Sequence, residues 1–259
     1  METMVSRTLS VHNEHEFLLK MEKAGLSEEL AQKVIDSKGN ELAQKVVGFI
    51  RNGGFEPTTS QKRAREIMDK NMFGIEEAIQ HFGVNPTRQQ ILVLSEIPFS
   101  EEVLQKAKDT HILMAVFPLS ILEIRSKIER KLFYSHEDAW YNKQAFAKER
   151  GETSWQLVRK TPVDNSTSKN WKEQQALIPE EDEVPTAQVM AYTIIGHYLA
   201  TGDGERLFER IYVRTSSVDS DGRRVAVGFF GSGGLGVSSC WGDGCLDALA
   251  VSSARKFPA

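Results

Sequence analysis

Residues 224–257 read RVAVGFFGSGGLGVSSCWGDGCLDALAVSSARKF, and this tail decides which fold the sequence predicts. Large residues recur in it at spacings typical of β-strands, and a short carboxylate accompanies the tryptophan. We interpret these residues as a scaffold that fixes the backbone: Leu235, Val237, Trp241, Asp243 and Leu249. The residues between them are small or unusual and follow another rule: Phe229, Gly231, Gly233, Gly236, Ser238, Ser239, Cys240, Gly242, Gly244, Cys245, Leu246 and Ala248.

The composition of the tail indicates what that rule is. From Ala226 to Val251 there is no Lys, Glu, Gln or Met, although these residues are common in the rest of the chain. An Asn codon, AAC or AAT, with both adenines randomised encodes residues such as Gly, Ser, Cys, Ala, Phe, Leu and Asp. It never encodes Lys, Glu, Gln, Met or Trp, so Trp241 belongs to the scaffold. The tail therefore has the composition expected of adenine mutagenesis at Asn codons.

The tail resembles the variable proteins of diversity-generating retroelements. In that family a reverse transcriptase copies a template repeat, misincorporates at adenines and rewrites the 3′ end of a target gene. The matching segments are separated by varied positions: Leu235-Gly236-Val237, Trp241-Gly242-Asp243, Leu249-Ala250-Val251 and Ala254-Arg255-Lys256-Phe257. Ala250 is a small departure, because the family more often has Gly there. The resemblance covers residues 110–257 and is strongest in the tail.

That resemblance implies a C-type-lectin-type fold of the formylglycine-generating-enzyme kind, whose varied residues bind a protein or another macromolecular ligand. Varied side chains on a rigid scaffold change recognition without changing folding. We therefore expect an α+β chain with a helical N-terminal domain at 1–109 and a lectin-type domain at 110–259. The variable tail would span 226–251. No catalytic residues, metal ligands or cofactors are expected, and the protein is not expected to be an enzyme.

Composition narrows the class of protein. The 259 residues suffice for one large or two ordinary domains, and 40% hydrophobic with 26% charged residues is ordinary for a globular chain. A net charge of −4 does not favour nucleic-acid binding, and no apolar run is long enough to span a bilayer. The N-terminus lacks the apolar core of a signal peptide, so we expect a cytoplasmic protein, particle-associated if its source is viral.

Local patterns predict helices before residue 110 and a mixture of helices and strands after it. The string ELAQKV occurs at 29–34 and again at 41–46, which indicates a duplicated helical hairpin. The acidic stretch 180–183 is interpreted as a solvated linker. Helices are predicted at 13–24, 27–37, 41–51, 59–70, 74–82, 100–108, 120–130, 136–149, 169–177 and 185–200. Strands are predicted at 111–117, 154–160, 211–215 and 224–230, with a turn at 219–222.

Several residues suggest other chemistry, and each has a structural interpretation that we favour. His136-Glu137-Asp138 fits the start of a helix better than an acid–base or metal site, because adjacent helical residues diverge. Asp219-Ser220-Asp221-Gly222 begins like a calcium loop, but the twelfth position is Phe230 instead of Glu. His197 lies in an apolar helix. Cys240 and Cys245 fit varied positions better than a disulfide or a metal site.

Charged side chains beside the tail have an expected structural role. The arginines that flank its strands could pair with carboxylates such as Asp243 and Asp247 and so hold the loops: Arg214, Arg223, Arg224 and Arg255. Two other functions remain open. One is an adaptor or structural protein that acts through the helical N-terminal domain. The other is an enzyme of the formylglycine-generating fold, which would require activity dependent on the two cysteines.

Overall fold

The computed structural model describes residues 10–38, 42–43, 46–47, 50, 58–202 and 204–255. The chain divides into two compact units, Met1–Glu56 and Pro57–Ala259. The domain boundary predicted at residue 109 therefore lies inside the second unit. The α+β class is confirmed by helices and three sheets within the described residues. No helix among those residues has the length and apolar content needed to cross a membrane.

Two helices are described in the first unit, α1 at Val11–Lys23 and α2 at Glu28–Ile35. Each begins after a serine, because the hydroxyl oxygen of Ser10 or Ser27 accepts a hydrogen bond from a backbone N–H in the first turn. Both helices lie where the sequence predicts them. The predicted third helix at 41–51 falls largely outside the described residues.

The second unit begins with short elements that alternate between helix and strand. They are β1 at Thr59–Ser60, α3 at Gln61–Met68, β2 at Met72–Phe73, α4 at Ile75–Phe82, α5 at Arg88–Val93, β3 at Glu96–Ile97 and α6 at Glu101–Ala107. Helix α5 was not predicted, although Thr87 and Gln90 form a capping box that marks its start. Helix α4 ends as predicted, because Gly83 adopts the left-handed conformation.

The remaining elements carry the larger sheets. They are β4 at His111–Val116, α7 at Ile121–Lys127, α8 at Ala145–Lys148, β5 at Ser154–Arg159, α9 at Trp171–Gln175, β6 at Asp182–Glu183, α10 at Ala187–Ala200, β7 at Tyr212–Val218, β8 at Arg224–Gly231, β9 at Gly234–Cys240, β10 at Leu249–Val251 and β11 at Ala254–Arg255. The predicted strands at 111–117, 154–160, 211–215 and 224–230 are confirmed with small shifts at their ends.

Two of the local predictions are wrong. The predicted helix at 136–149 is instead a turn followed by a 3-10 helix at Trp140–Lys143 and the four-residue α8, because the Asn142 side chain donates to the carbonyls of His136 and Glu137. The acidic stretch 180–183 is not a solvated linker. Asp182 is buried in β6, where its carboxylate accepts hydrogen bonds from Ser253 and Arg255.

The five-stranded sheet has the order β2-β4-β5-β11-β6, with β2 parallel to β4 and the other pairs antiparallel. Because β2 forms one edge of this sheet, residues 58–109 belong to the same unit as the tail. The four-stranded sheet has the order β10-β7-β8-β9, in which β10 runs parallel to β7 and the other pairs are antiparallel. A small third sheet pairs β1 with β3.

Helix α10 packs against strands of both larger sheets and is buried through most of its length. The Tyr192 hydroxyl donates to the carbonyl of Ala115 in β4. The Tyr192 ring contacts the rings of Phe73 in β2 and Phe82 in α4. Gly196 allows Phe73 and Met114 to approach the helix closely. The core therefore joins residues 58–109 to the rest of the unit through aromatic packing.

We predict that a chain of residues 57–259 folds alone, whereas a chain that begins at residue 110 does not. The shorter chain loses β2, Phe73 and Phe82, and so exposes the apolar face of α10 and one edge of β4. Thermal unfolding followed by circular dichroism should show a cooperative transition for the full chain and for 57–259 only. A cooperative transition of similar midpoint for 110–259 would contradict the joint core.

Candidate functional site

The four-stranded sheet separates the tail into two faces, because successive side chains of a strand point in opposite directions. One face joins the main core through Val213, Val225, Val227, Leu235 and Val237. The register places the opposite set together, with Tyr212 beside Gly228 and Gly236, and Arg214 beside Ala226 and Ser238. We call this second side the outer face: Tyr212, Arg214, Ala226, Gly228, Gly236, Ser238 and Cys240.

Arg214 lies at the centre of the outer face and is 0% exposed. Its Nη1 donates to the carbonyl of Lys169 at 3.0 Å and to Gln174 Oε1 at 2.8 Å. Its Nη2 donates to the carbonyl of Trp241 at 3.2 Å and to that of Gly244 at 2.5 Å. The fifth N–H, on Nε, donates to Cys240 Sγ at 3.3 Å. Every donor of the guanidinium thus has an uncharged acceptor.

Two of the four flanking arginines pair with carboxylates, but the partners are not Asp243 and Asp247. Arg223 pairs with Asp219 and Asp221, and Arg255 pairs with Glu181 and Asp182. Arg224 donates to the carbonyl of Ser216, and its guanidinium stacks 4.6 Å from the ring centre of Trp171. Asp247 accepts from the Ser168 hydroxyl at 2.5 Å instead. Asp243 is exposed.

Residues 241–248 form a loop that we call the held loop. Besides the two carbonyls bound by Arg214, the carbonyl of Gly242 accepts from the N–H of Trp171 at 2.7 Å. Two further carbonyls, those of Leu246 and Ala248, accept from the N–H groups of Ser168 and Tyr212 at 3.2 and 2.9 Å. Residues outside the loop thus hold its backbone through five carbonyl oxygens. Its large side chains point to solvent, since Trp241 and Leu246 are each 59% exposed.

Most of the predicted variable residues reach the surface. Phe229, Gly233, Cys245, Leu246 and Ala248 are exposed, and Gly236 is buried. The remaining residues are partly buried: Gly231, Ser238, Ser239, Cys240, Gly242 and Gly244. The set lies on two connected regions, the β8–β9 hairpin and the held loop. The prediction that this set forms one binding surface stays a prediction.

The residues predicted to form the scaffold also include both buried and exposed side chains. Leu235, Val237 and Leu249 are buried, as expected of residues that fix the backbone. Trp241 and Asp243 are exposed, so their side chains do not anchor the tail in a core. The Arg223 guanidinium lies 6.0 Å from the ring centre of Trp241, which is a surface contact. At position 241 the anchoring group is the backbone carbonyl, which Arg214 binds.

Two glycines that lie outside the predicted variable set are required by the backbone. Gly228 has a φ of 150°, and an added Cβ would lie 2.2 Å from the carbonyl oxygen of Ile211. Gly234 has a φ of 94°, and a Cβ there would lie 2.7 Å from the carbonyl oxygen of Lys131. By contrast, a Cβ at Gly231, Gly233 or Gly242 would meet only ordinary contacts of 3.5 Å or more. Glycine is therefore dispensable at those three positions.

Two positions of the predicted variable set, 236 and 239, lie against residues outside that set. A Cβ at Gly236 would lie 2.4 Å from the Tyr212 hydroxyl, so any larger residue there must displace that ring. Burial alone would raise the pKa of the Asp219 carboxyl, but hydrogen bonds from Arg223, Ser239 and Asp221 keep it below its ordinary value. The Asp219 carboxylate thus stabilises the β7–β8 turn, which the sequence predicts at 219–222. The Ser239 side chain donates one of the hydrogen bonds that it accepts.

Phe229 has an unusual conformation for a bulky residue. Its φ is 50°, in the left-handed region, at the bulge between Gly228 and Gly231. The ring is 44% exposed and packs 5.1 Å from the ring centre of Tyr212. Tyr134, which is 75% exposed, lies against Gly233. These three aromatic rings place an apolar patch on the hairpin.

An open cleft of about 620 Å³ lies beside the held loop. Its lining includes Trp171, Arg224, Gln156, Gln175 and Glu183. Trp171 connects the cleft to the loop, because its N–H binds the carbonyl of Gly242. No sequence pattern marks Trp171, Ser168 or Gln174 as supports of the tail. The capping box of Asn170 and Glu173 marks α9, but it does not indicate what that helix holds.

The other candidate sites are structural. His136 contacts the carbonyl of Arg130, and Glu137 pairs with the Arg130 guanidinium at 3.3 Å. His197 is 1% exposed, and its pKa is lowered by burial although Glu205 lies 3.4 Å away. Both cysteines are free thiols. No cluster of three or more His, Cys, Asp or Glu side chains suited to a metal ion occurs in the described part of the chain.

Comparisons with known proteins identify no family for this chain. No family model matches it, and no match was found among curated proteins or solved structures.

We predict that Arg214→Met lowers the free energy of unfolding by about 3 kcal/mol, because three backbone carbonyls and the buried Gln174 amide lose a charged donor. Methionine keeps most of the volume, so the loss reports hydrogen bonding more than packing. Urea unfolding measures the effect. The exposed Arg210→Met is the matched control and should change stability by less than about 0.5 kcal/mol. Equal losses in both variants would contradict the role of Arg214.

We also predict that alanine is tolerated at Gly231 and Gly242 but not at Gly228 and Gly234. The first two substitutions should change the free energy of unfolding by less than about 0.5 kcal/mol, and the last two should lower it by at least about 2 kcal/mol. The difference follows from positive φ and backbone contacts at Gly228 and Gly234. Thermal unfolding of the four variants measures it, and a uniform response across them would refute the distinction.

Proposed function

We propose that this protein is a diversified ligand-binding protein of the class encoded beside diversity-generating retroelements. Its C-terminal side chains would recognise a protein or another macromolecular ligand from a C-type-lectin-type domain. The observation that carries the proposal is the attachment of the held loop through its backbone carbonyls. A loop held in this way keeps its path when its side chains change, which is what repeated mutagenesis of a binding surface requires.

The distribution of required glycines supports the same proposal. Gly228 and Gly234, where the backbone demands glycine, are absent from the variable set inferred from the sequence. Gly231, Gly233 and Gly242, where it does not, belong to that set. If the glycines were selected for flexibility, the set would have no reason to leave out the two that the backbone requires. Randomised codons explain the division, because glycine at a variable position is then only one of several tolerated residues.

The conformation at position 229 is a further support. Apart from glycine, Asn and Asp are the residues that adopt the left-handed region most readily, whereas a bulky residue there costs on the order of 1–2 kcal/mol. Phe229 occupies that region at a φ of 50°. Mutagenesis that begins from an Asn codon explains how a phenylalanine came to occupy a backbone position suited to asparagine.

The exposed side chains favour a macromolecular ligand. Phe229, Trp241 and Leu246 are large apolar residues with exposed fractions of 44%, 59% and 59%. Aromatic anchors dominate the energetics of protein interfaces. The three residues are spread over the hairpin and the held loop, so a ligand that contacts all of them must present an extended surface.

The DNA around the gene tests the assignment to the retroelement class. We expect a near-copy of the segment that encodes 226–257, differing from it at adenines of the copy, together with a reverse-transcriptase reading frame nearby. The positions that differ should match the variable set given above. A flanking region that contains neither feature would overturn the assignment.

A pair of combinatorial libraries tests the binding surface directly. In the first, Gly231, Gly233, Gly242, Cys245, Leu246 and Ala248 are randomised with codons of the form NNC. In the second, the same codons replace Leu235, Val237, Leu249, Val213, Val225 and Val227. We expect most members of the first library, and few of the second, to resist proteolysis when displayed. Binders to a panel of immobilised proteins should then arise from the first library. Equal resistance to proteolysis would contradict the proposal.

A further inference from the structure

Position 240 is where a varied side chain meets the group that holds the loop. Cys240 lies at the end of β9, and its Sγ accepts the Nε–H of Arg214 at 3.3 Å. The other four hydrogen bonds of that guanidinium reach oxygen atoms at 2.5–3.2 Å. A thiol sulfur is a weak acceptor. The least satisfied donor of the buried guanidinium therefore points at a residue of the variable set.

We propose that residue 240 is a positioning residue of the binding surface, which sets through Arg214 how firmly the held loop is fixed. This inference rests on the proposed function for its meaning, because only a loop that binds something benefits from a tunable order. The contacts that carry it are independent of that function. Arg214 binds the carbonyls of Trp241 and Gly244, so whatever orients its guanidinium also orients the loop.

The residue that a randomised codon places at position 240 decides which acceptor the Nε–H of Arg214 meets. Asp, Ser, Cys and Ala are all available from a randomised Asn codon, and they range from a charged acceptor to no acceptor. A carboxylate at 240 would place an anion against a buried cation whose five present acceptors are all neutral, and charge-assisted hydrogen bonds are the stronger kind. Alanine would leave the Nε–H without a partner. Diversification at one codon thus samples both firmly held and adaptable surfaces, which bind ligands in different ways.

The charges around position 240 favour a carboxylate. Arg214 reaches it from β7, and Arg224 is its cross-strand partner on β8. Arg223 lies near the ring of Trp241, and Lys169 contributes a carbonyl to the same guanidinium. Asp243, in the held loop, is exposed, and Asp219 and Asp221 of the β7–β8 turn are paired with Arg223. Arg214 and Arg224 are thus the cations at this end of β9 that have no acidic partner among the described residues.

The test compares Cys240→Asp, Cys240→Ser and Cys240→Ala in the full chain. Cys245→Asp is the matched control, because it makes the same chemical change on an exposed residue of the held loop, five positions further along the chain. We expect Cys240→Asp to raise the melting temperature by about 2–4 °C and Cys240→Ala to lower it. Amide hydrogen exchange at Gly244 and Trp171 should slow about tenfold in Cys240→Asp. Cys245→Asp should alter neither measurement.

The pH profile separates a buried ion pair from a general packing effect. A carboxylate that gains a cationic partner has a lower pKa when folded than when unfolded, so its stabilisation is present above the unfolded value of about 3.9 and is lost as the pH falls through the folded value. The gain in Cys240→Asp over Cys240→Ser should therefore be constant between pH 5 and 8 and disappear near pH 3. A gain independent of pH would overturn the inference.

The same substitution in an Arg214→Met background completes the test. There the gain from Cys240→Asp should vanish, and if that double variant does not fold, hydrogen exchange of the single variants decides the question. Unchanged exchange at Gly244 and Trp171 in Cys240→Asp would refute the inference and leave the diversified surface intact. Absence of a template repeat would have the opposite result, since it would refute the retroelement proposal and leave the coupling between 240 and Arg214 in place.

Discussion

The structure of the tail depends on one constraint, the burial of a guanidinium without an acidic partner. Removing a cation from water is expensive unless all of its donors are satisfied. Arg214 meets this requirement with the backbone oxygens of Lys169, Trp241 and Gly244, the amide oxygen of Gln174 and the sulfur of Cys240. The acceptors come from two segments of the chain, residues 169–174 and 240–244, and Arg214 itself lies in β7. Satisfying one side chain therefore fixes the positions of α9 and of the held loop relative to β7.

The local elements that the sequence predicted are those whose signals are local. Ser27, Ser100 and Ser120 begin helices because their hydroxyls accept first-turn N–H groups, and the run from His111 to Val116 forms a buried strand. Predictions failed where distant groups decide the conformation. Asn142 satisfies the carbonyls that a helix at 136–149 would have used, and Asp182 is buried because Ser253 and Arg255 come from the far end of the chain. A distant contact also crosses the predicted boundary at residue 109, since β2 pairs with β4.

At the candidate site too, the sequence indicates the local feature but not the distant contacts that hold it. Composition alone leads to the set of tail residues that we propose to vary, because the absence of Lys, Glu, Gln and Met is visible in the sequence. It could not identify what holds them. The acceptors for Arg214 and Trp171 are mostly backbone carbonyls, which every residue possesses and which leave no trace in a pattern of side chains. Trp241 is assigned to the scaffold because no randomised Asn codon encodes Trp, yet its side chain is exposed, so the ring does not fix the backbone in the way that buried Leu235 and Leu249 do.

The tail thus separates two tasks that most loops combine, since carbonyl oxygens hold the backbone while side chains face outward. The separation is incomplete at three positions of the variable set. Gly236 lies under the Tyr212 hydroxyl, the residue at 239 helps to bind Asp219, and the residue at 240 supplies an acceptor to Arg214. On the proposed function, changes at Gly242 or Leu246 would alter only what a ligand meets. Changes at those three positions would also alter how the surface is held, so the proposed diversification would reach the order of the backbone as well as its chemistry.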